Sequence, residues 1–305
     1  MSVTAVIVVH FNQTKTTLKC LDSLARLKNI SGNTLKVVIV DNGSKNLFSL
    51  PSRFNPKIFH LIRSDANLGF TGGNNLGIHF SVENFDPQYL WLLNNDATVD
   101  FQALAQLLKA ADENPSWGMI SPKIYFTAGK EFHQHSYAKV DRGKVIWFVG
   151  GVIDWRNLTA FHLGVDEIDR GQFDQISETD FCTGCAIFIK REVLEKIGFL
   201  DKRYFLYFED VDWSLRAQKF GYKLGISHQA IVWHDNAGSS GGSGSNLQQY
   251  YQERNRSLLA WLHGNWQAKF VAVRLQLMNL ITTDPYRRQA VIDFYRRKFG
   301  KQLIV

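Results

Sequence analysis

Residues 205–222 read Phe-Leu-Tyr-Phe-Glu-Asp-Val-Asp-Trp-Ser-Leu-Arg-Ala-Gln-Lys-Phe-Gly-Tyr, an aromatic run that ends in three carboxylates, Glu209, Asp210 and Asp212. A carboxylate can take a proton from a hydroxyl, ligate a hard cation or cap a helix. Val211 and Leu215 stand one turn apart and Gly221 is placed as a stop, so a helix begins at the acids. Two readings follow: a charged cap that answers the helix dipole, or a base held in a reacting site. Other polar groups bear on the choice. Asn12, Asp41 and the run Asn94-Asn95-Asp96 each follow an apolar segment, and His234 ends another, Ala230-Ile-Val-Trp-His. Any one of these is an ordinary turn former. Several on one rim favour a site.

The elements that must position these groups alternate through the first third of the chain. Strands are expected over 4–10, 35–40, 58–62 and 89–93, with helices over 14–27, within 69–80 and over 101–111. Continuous apolar strands separated by helices imply a mostly parallel sheet covered on both faces. In such α/β sheets ligands bind beyond the carboxyl ends of the strands, where the Asn and Asp residues stand. Gly72 and Gly73 offer free amides and close backbone approach for an anion or a sugar. The segment is neither a P-loop nor a dinucleotide fingerprint. Trp147, Gly150 and Gly151 place an aromatic beside glycines, a pattern that suits a sugar face or a packed core equally. The Gly/Ser stretch over 238–245 reads as a lid over the site rather than a linker. Beyond it, Tyr251, Arg254 and Asn255 share one helical face, from which Arg254 is placed to clamp a diphosphate.

A length of 305 residues with 45% hydrophobic and 21% charged content describes an ordinary globular chain with an ample core. Three cysteines argue against a disulfide framework and exclude a four-cysteine zinc site, and Cys182 and Cys185 are expected as buried apolar side chains. The first residues carry no basic n-region, so no secretory leader is expected, and no apolar run approaches the length of about 18 that a spanning helix needs. The expected location is the cytoplasm. The net charge of +7 is concentrated in residues 269–301, with eight basic residues against two acidic. Apolar residues interleave there, which suits either an anionic membrane surface or a helix packed by one face. Nucleic acid is not an expected partner, since no recognised binding motif accompanies the charge.

The ordered set Val-Ile-Val-Val-His-Phe-Asn12, Val-Asp-Asn-Gly-Ser44, Asn-Leu-Gly-Phe-Thr-Gly-Gly-Asn-Asn75, Leu-Leu-Asn-Asn-Asp96, Phe-Glu-Asp-Val-Asp212 and Tyr-Tyr-Gln-Glu-Arg-Asn255 resembles the family 2 inverting glycosyltransferases of the GT-A fold. Within that family the chain looks most like bacterial rhamnosyltransferases and their galactofuranosyltransferase relatives. The resemblance runs from residue 3 to about residue 260. It implies a catalytic domain over 1–235, divided at 96 into nucleotide-sugar and acceptor halves, a lid over 236–248 and a basic helical extension over 249–305. It implies Asp210 as the base. It implies a donor-side set of His10, Asn12, Asp41, Asn42, Asn67, Gly69, Gly73, Asn74, Asn95 and Arg254, with Asp41 on the nucleoside. The implied acceptor side is Trp147, Gly150, Gly151, Glu209 and Trp213. Asp96 and His234 are the implied ligands of a Mg2+ or Mn2+ ion; the first acid of the family's Asp-x-Asp motif is Asn94 here, and an imidazole in the set leans towards Mn2+. The implied partners are a nucleotide sugar, with dTDP-L-rhamnose expected, and a lipid-linked or polysaccharide acceptor. A UDP-sugar transferase and a catalytically inactive sugar-nucleotide or glycan-binding module are the alternatives.

Overall fold

Strand β1 (Ser2–His10) alternates its side chains between two cores, because successive residues of a strand face opposite ways. Val6 and Val8 pack with Cys20, Leu21 and Leu24 of helix α1 (Thr14–Leu24), while Ile7 packs with Ile78 of α2 (Gly69–Phe85). A computed structural model describes residues 2–28, 30–175, 177–235 and 245–302. In it β2 (Asn33–Asn42), β3 (Phe59–Ser64) and β4 (Tyr89–Asn94) join β1 as a parallel unit in the order β3-β2-β1-β4. Gly77 lets α2 lie close on this unit: a Cβ there would come within 2.5 Å of Ile7.

The short β5 (Ala97–Val99) and helix α3 (Ala103–Glu113) lead to β6 (Trp117–Phe126), on which β7 (Ile146–Phe148) pairs. A separate hairpin, β8 (Gly151–Asp154) and β9 (Thr159–His162), follows. Strand β10 (Ala186–Lys190) is inserted antiparallel between β4 and β6, and β11 (Lys223–His234) runs parallel to β6. The full nine-stranded sheet is therefore parallel in its first half and mixed in its second. Reversal of β10 has a direct consequence. Its first residues lie at the edge where β1, β2 and β4 end.

Helices α4 (Arg191–Ile197) and α5 (Glu209–Lys219) cover the same face as α2. The chain continues as α6 (Asn246–His263), α7 (Trp266–Ile281) and α8 (Pro285–Tyr295). Asn265 and Asp284 cap the last two by accepting from backbone N–H groups of their first turns. Most of the expected lid, 236–244, lies outside the described residues.

Candidate active site

Antiparallel pairing of β5 with β11 sets His234 opposite Ala97, one residue from Asp96. His234 Nε2 and Asp96 Oδ1 are 3.0 Å apart, and both side chains are 7% exposed. The thiol of Cys185 also interacts with the His234 ring. Burial works against a charged imidazole, but Cys185 and the Asp96 carboxylate outweigh it and hold His234 well above its ordinary range.

The base candidate reaches the same place through the adjacent residue. Asp210 Oδ2 accepts the Gly184 N–H at 2.8 Å, and its Oδ1 accepts the N–H of Val211 at 2.9 Å. The Cys185 carbonyl accepts the Asn94 N–H, which ties this segment to the end of β4. Residues 184 and 185, just before the reversed strand β10, thus contact Asp210 through Gly184 and the His234 ring through Cys185. Burial raises the Asp210 carboxyl above its usual range, against the lowering effect of the backbone N–H groups. Glu209 is raised further, by burial and then by the neighbouring Asp210 charge. The opposing influences at this helix start are thereby settled in favour of a more basic carboxylate.

Phe205, Tyr207 and Phe208 all have positive φ, between 63° and 70°, immediately before these acids. Left-handed backbone in non-glycine residues is unfavourable by roughly 1–3 kcal/mol each and persists only where neighbours over-determine it. Here the neighbour is α6. The Asn255 side-chain amide donates to the carbonyls of Tyr204, Leu206 and Tyr207 at 2.8–2.9 Å. Arg254 Nη2 donates to the carbonyls of Arg203 and Tyr204. Its Nη1 donates to those of Lys298 and Gly300, and its Nε to Asn255. The guanidinium, fully buried, lies over the Tyr251 ring. With its N–H groups turned to protein acceptors, Arg254 does not serve as the expected diphosphate clamp. Trp213 is likewise not an acceptor contact: it is fully buried, and its Nε1 donates to the Gly198 carbonyl. Asp212 anchors α5 by accepting from Arg216 Nε at 2.9 Å and pairing with His263 Nε2 at 2.7 Å.

Residues expected on the donor side line the ends of β1 and β2 and the start of α2. His10 is buried against the Phe48 ring, its Nδ1 2.7 Å from Thr17 Oγ1, to which Asn95 also donates. Asp41 is opposed by burial but stabilised by hydrogen bonds from Ser44 and the Phe48 N–H, and its carboxyl is held below the usual range. Asn12 has positive φ and braces the same turn by donating its N–H to Ser44 Oγ. Asn42 accepts from the Leu68 N–H and donates to the Gly69 carbonyl, while Asn67 accepts from the Gly69 N–H. Gly69 combines φ +73° with a contact that excludes a Cβ, since one would sit 2.4 Å from the Phe205 carbonyl. The aromatic turn and the start of α2 therefore meet. Gly73 and Asn74 differ from expectation. A Cβ on Gly73 would strike Val9, and Asn74 donates within its own helix to the Phe70 carbonyl, so both pack α2 rather than face a ligand. Buried polar atoms without a protein partner occur on this rim: His10 Nε2, Thr71 Oγ1 and Glu209 Oε2. Buried polar atoms are normally satisfied, so each of these is suited to a polar ligand.

Trp147 lies edge-on between two imidazoles, with centroids 4.4 Å from His162 and 4.5 Å from His234. His162, which sequence patterning does not single out, is lowered to about 4 by burial and stays neutral. Gly151 is not open to a sugar, because a Cβ there would lie 2.3 Å from the Phe181 ring; Gly150 precedes it with φ +146°. Sequence patterning likewise does not single out Gly184, the contact of Cys185 with His234 or the turn-holding role of Asn255. Cys182 and Cys185 are buried and free. Both are the buried apolar side chains the sequence leads one to expect.

Among the described residues no group of three or more His, Cys, Asp or Glu is arranged to hold a metal. Asp96 and His234 fit as a partial set. Their 3.0 Å separation is that of a hydrogen bond, and a cation could take both atoms only by displacing the proton between them. Asn94 offers a neutral amide where a second carboxylate would add charge.

The glycosyl transferase family 2 model matches residues 5–198. The chain is 25% identical over 229 residues to the low-salt glycan biosynthesis hexosyltransferase Agl10 of Haloferax volcanii, covering 75% of this chain and 68% of that protein. It is 23% identical over 252 residues to an N-acetylglucosaminyl-diphospho-decaprenol L-rhamnosyltransferase of Mycobacterium tuberculosis, covering 80% of each. The fold is similar to that of GalNAc-T7 crystallised with UDP, GalNAc and Mn2+. The TM-score is 0.62 and the identity 15%, over 97% of this chain and 56% of that one.

Proposed function

The chain belongs to glycosyl transferase family 2, and from that premise we propose that it is an inverting transferase that moves L-rhamnose from dTDP-L-rhamnose to a hydroxyl of a lipid-linked or polysaccharide acceptor. One observation carries the mechanism. Asp210 accepts the Gly184 N–H, and the next residue, Cys185, interacts with the ring of His234, which pairs with Asp96. This adjacency in the chain supports a proton acceptor and a leaving-group site built around one segment. In the proposed reaction Asp210 takes the proton from the acceptor hydroxyl. The oxygen forms its bond to the anomeric carbon as the bond from that carbon to the diphosphate breaks, so the centre inverts. The upward displacement of the Asp210 carboxyl makes it a stronger base. Asp96 and His234 would hold a Mg2+ or Mn2+, which would neutralise charge on the departing nucleoside diphosphate.

Asp41, at the end of β2 and fixed by Ser44 and Phe48, is proposed to face the nucleoside, and Asn12, His10 and Asn95 to frame the donor. Trp147 and Glu209 are proposed to meet the acceptor. The proposed catalytic domain spans 1–235, with 236–248 as its lid and 249–305 as an extension whose first helix braces the catalytic turn. The rhamnosyltransferase relative, covered over 80% of each chain, supports the choice of donor. A panel of nucleoside diphosphates and nucleotide sugars, with and without Mn2+, tests it by thermal shift. Stabilisation by dTDP ligands supports rhamnose, and stabilisation by UDP ligands alone transfers the assignment to a UDP-sugar. Donor hydrolysis distinguishes an enzyme from an inactive binding module.

A further inference from the structure

Helix α7 is built inside out. The residues it buries are small or polar, Ala268, Ala272 and Gln276. The residues it turns to solvent are large and apolar: Trp266 is 75% exposed, Phe270 68%, Leu277 60% and Ile281 85%. At 100° per residue these four fall within one narrow arc, so they form a single stripe along the helix. Exposed apolar side chains scattered singly need no explanation, but a continuous stripe marks a surface that another body covers.

The charges around the stripe indicate what covers it. Arg274 lies beside it on α7, and Arg287 and Arg288 are exposed at the start of α8. The acids on the neighbouring elements are occupied. Asp284 caps α8 and pairs with Arg287 Nε at 3.5 Å, Asp293 accepts from Tyr250 and Gln289, and Glu253 accepts from Asn279 and pairs with Arg256. Among the described residues Arg274 and Arg288 are exposed and form no ion pair, so the unbalanced charge beside the stripe is basic. An apolar helix face bordered by arginines, with a Trp at one end, complements an anionic bilayer surface, where the apolar side chains enter the acyl boundary and the cations meet phosphates. No described helix is long and apolar enough to cross a membrane, so the contact would lie in the plane of the surface.

We propose that the outer face of α7 docks the protein on an anionic lipid surface. The proposal is independent of the donor and of the transfer reaction. It is tested with the full chain by co-sedimentation with vesicles of phosphatidylcholine, with and without phosphatidylglycerol. The expected result is sedimentation with the anionic vesicles, weakened by salt. Phe270→Glu with Leu277→Glu is expected to lower partitioning by about a hundredfold, since each large apolar side chain withdrawn from lipid is equivalent to roughly tenfold. Both side chains are exposed, so the melting temperature should hold. Phe270→Ser with Leu277→Ser supplies a milder pair in case it does not. Turnover on a water-soluble acceptor is expected to stay unchanged in both. Failure of the parent chain to bind anionic vesicles, or equal binding by parent and variants, overturns the proposal. A parent dimer that the variants convert to monomer, without vesicle binding, assigns the face to a second copy and overturns it equally.

Discussion

Replacing Asn255 with Ala removes the donor group that holds the carbonyls of Tyr204, Leu206 and Tyr207. The amide has two hydrogens to give. The Tyr204 carbonyl keeps its bonds from Arg254 and the Leu206 N–H, so the loss falls on Leu206 and Tyr207; at about 1–3 kcal/mol for each lost bond, stability is expected to fall by roughly 2–6 kcal/mol. For a chain of 305 residues, with an unfolding entropy of roughly 2.1 cal/mol/K per residue, that lowers the melting temperature by roughly 3–9 °C. The larger consequence is local. Three left-handed residues lie in this turn, and without their tether the backbone is expected to relax towards commoner angles. Glu209 and Asp210 begin the next element and move with it. A displacement of about 1 Å in a reacting group lowers the rate by about a hundredfold. Turnover of the nucleotide sugar should therefore fall at a temperature where circular dichroism shows the variant folded, while nucleoside diphosphate affinity is retained. Parental turnover in a folded Asn255→Ala protein would refute the assignment of α6 as the brace of the catalytic turn.

Asp210→Asn is expected to lower kcat by about 10²–10⁴, the range of a lost general base, with nucleotide binding unchanged in calorimetry. Since burial raises the Asp210 carboxyl, the acid limb of kcat/KM should lie above the ordinary aspartate value of about 3.9; a limb at or below that value removes Asp210 from the role. Glu209 is raised by burial and by Asp210, so the folded state binds its proton more tightly than the unfolded chain and stability falls as pH rises through that interval. Glu209→Gln should therefore be more stable than the parent at pH of about 7, with the gain disappearing near pH 4, the ordinary glutamate range; urea unfolding at both values checks this, and a gain equal at both contradicts it. Mn2+ with a nucleoside diphosphate should raise the melting temperature, equivalent to about 2.7 kcal/mol at a hundredfold excess over Kd, and Asp96→Asn or His234→Ala should abolish the metal-dependent part. Retention of the full metal effect in both variants would place the ion elsewhere.

The sequence by itself determined the parallel half of the sheet, since apolar runs separated by amphipathic segments have few other ways to bury both faces. It also determined which polar groups stand at the strand ends, and it marked Asp210, Asp96 and His234. Tertiary structure alone decided how these groups meet. The antiparallel insertion of β10 brings Gly184 and Cys185 to the rim, and no local pattern encodes strand direction. The β5–β11 pairing closes a gap of 138 residues between Asp96 and His234, which depends on register rather than composition. Arg254 shows the limit most clearly. A guanidinium binds a diphosphate or a ring of carbonyls with the same N–H groups, and only the packing of α6 against the aromatic turn selects the carbonyls. Trp213 and Gly73 follow the same rule, because a residue's type states what it can bind, while its burial states what it has already bound.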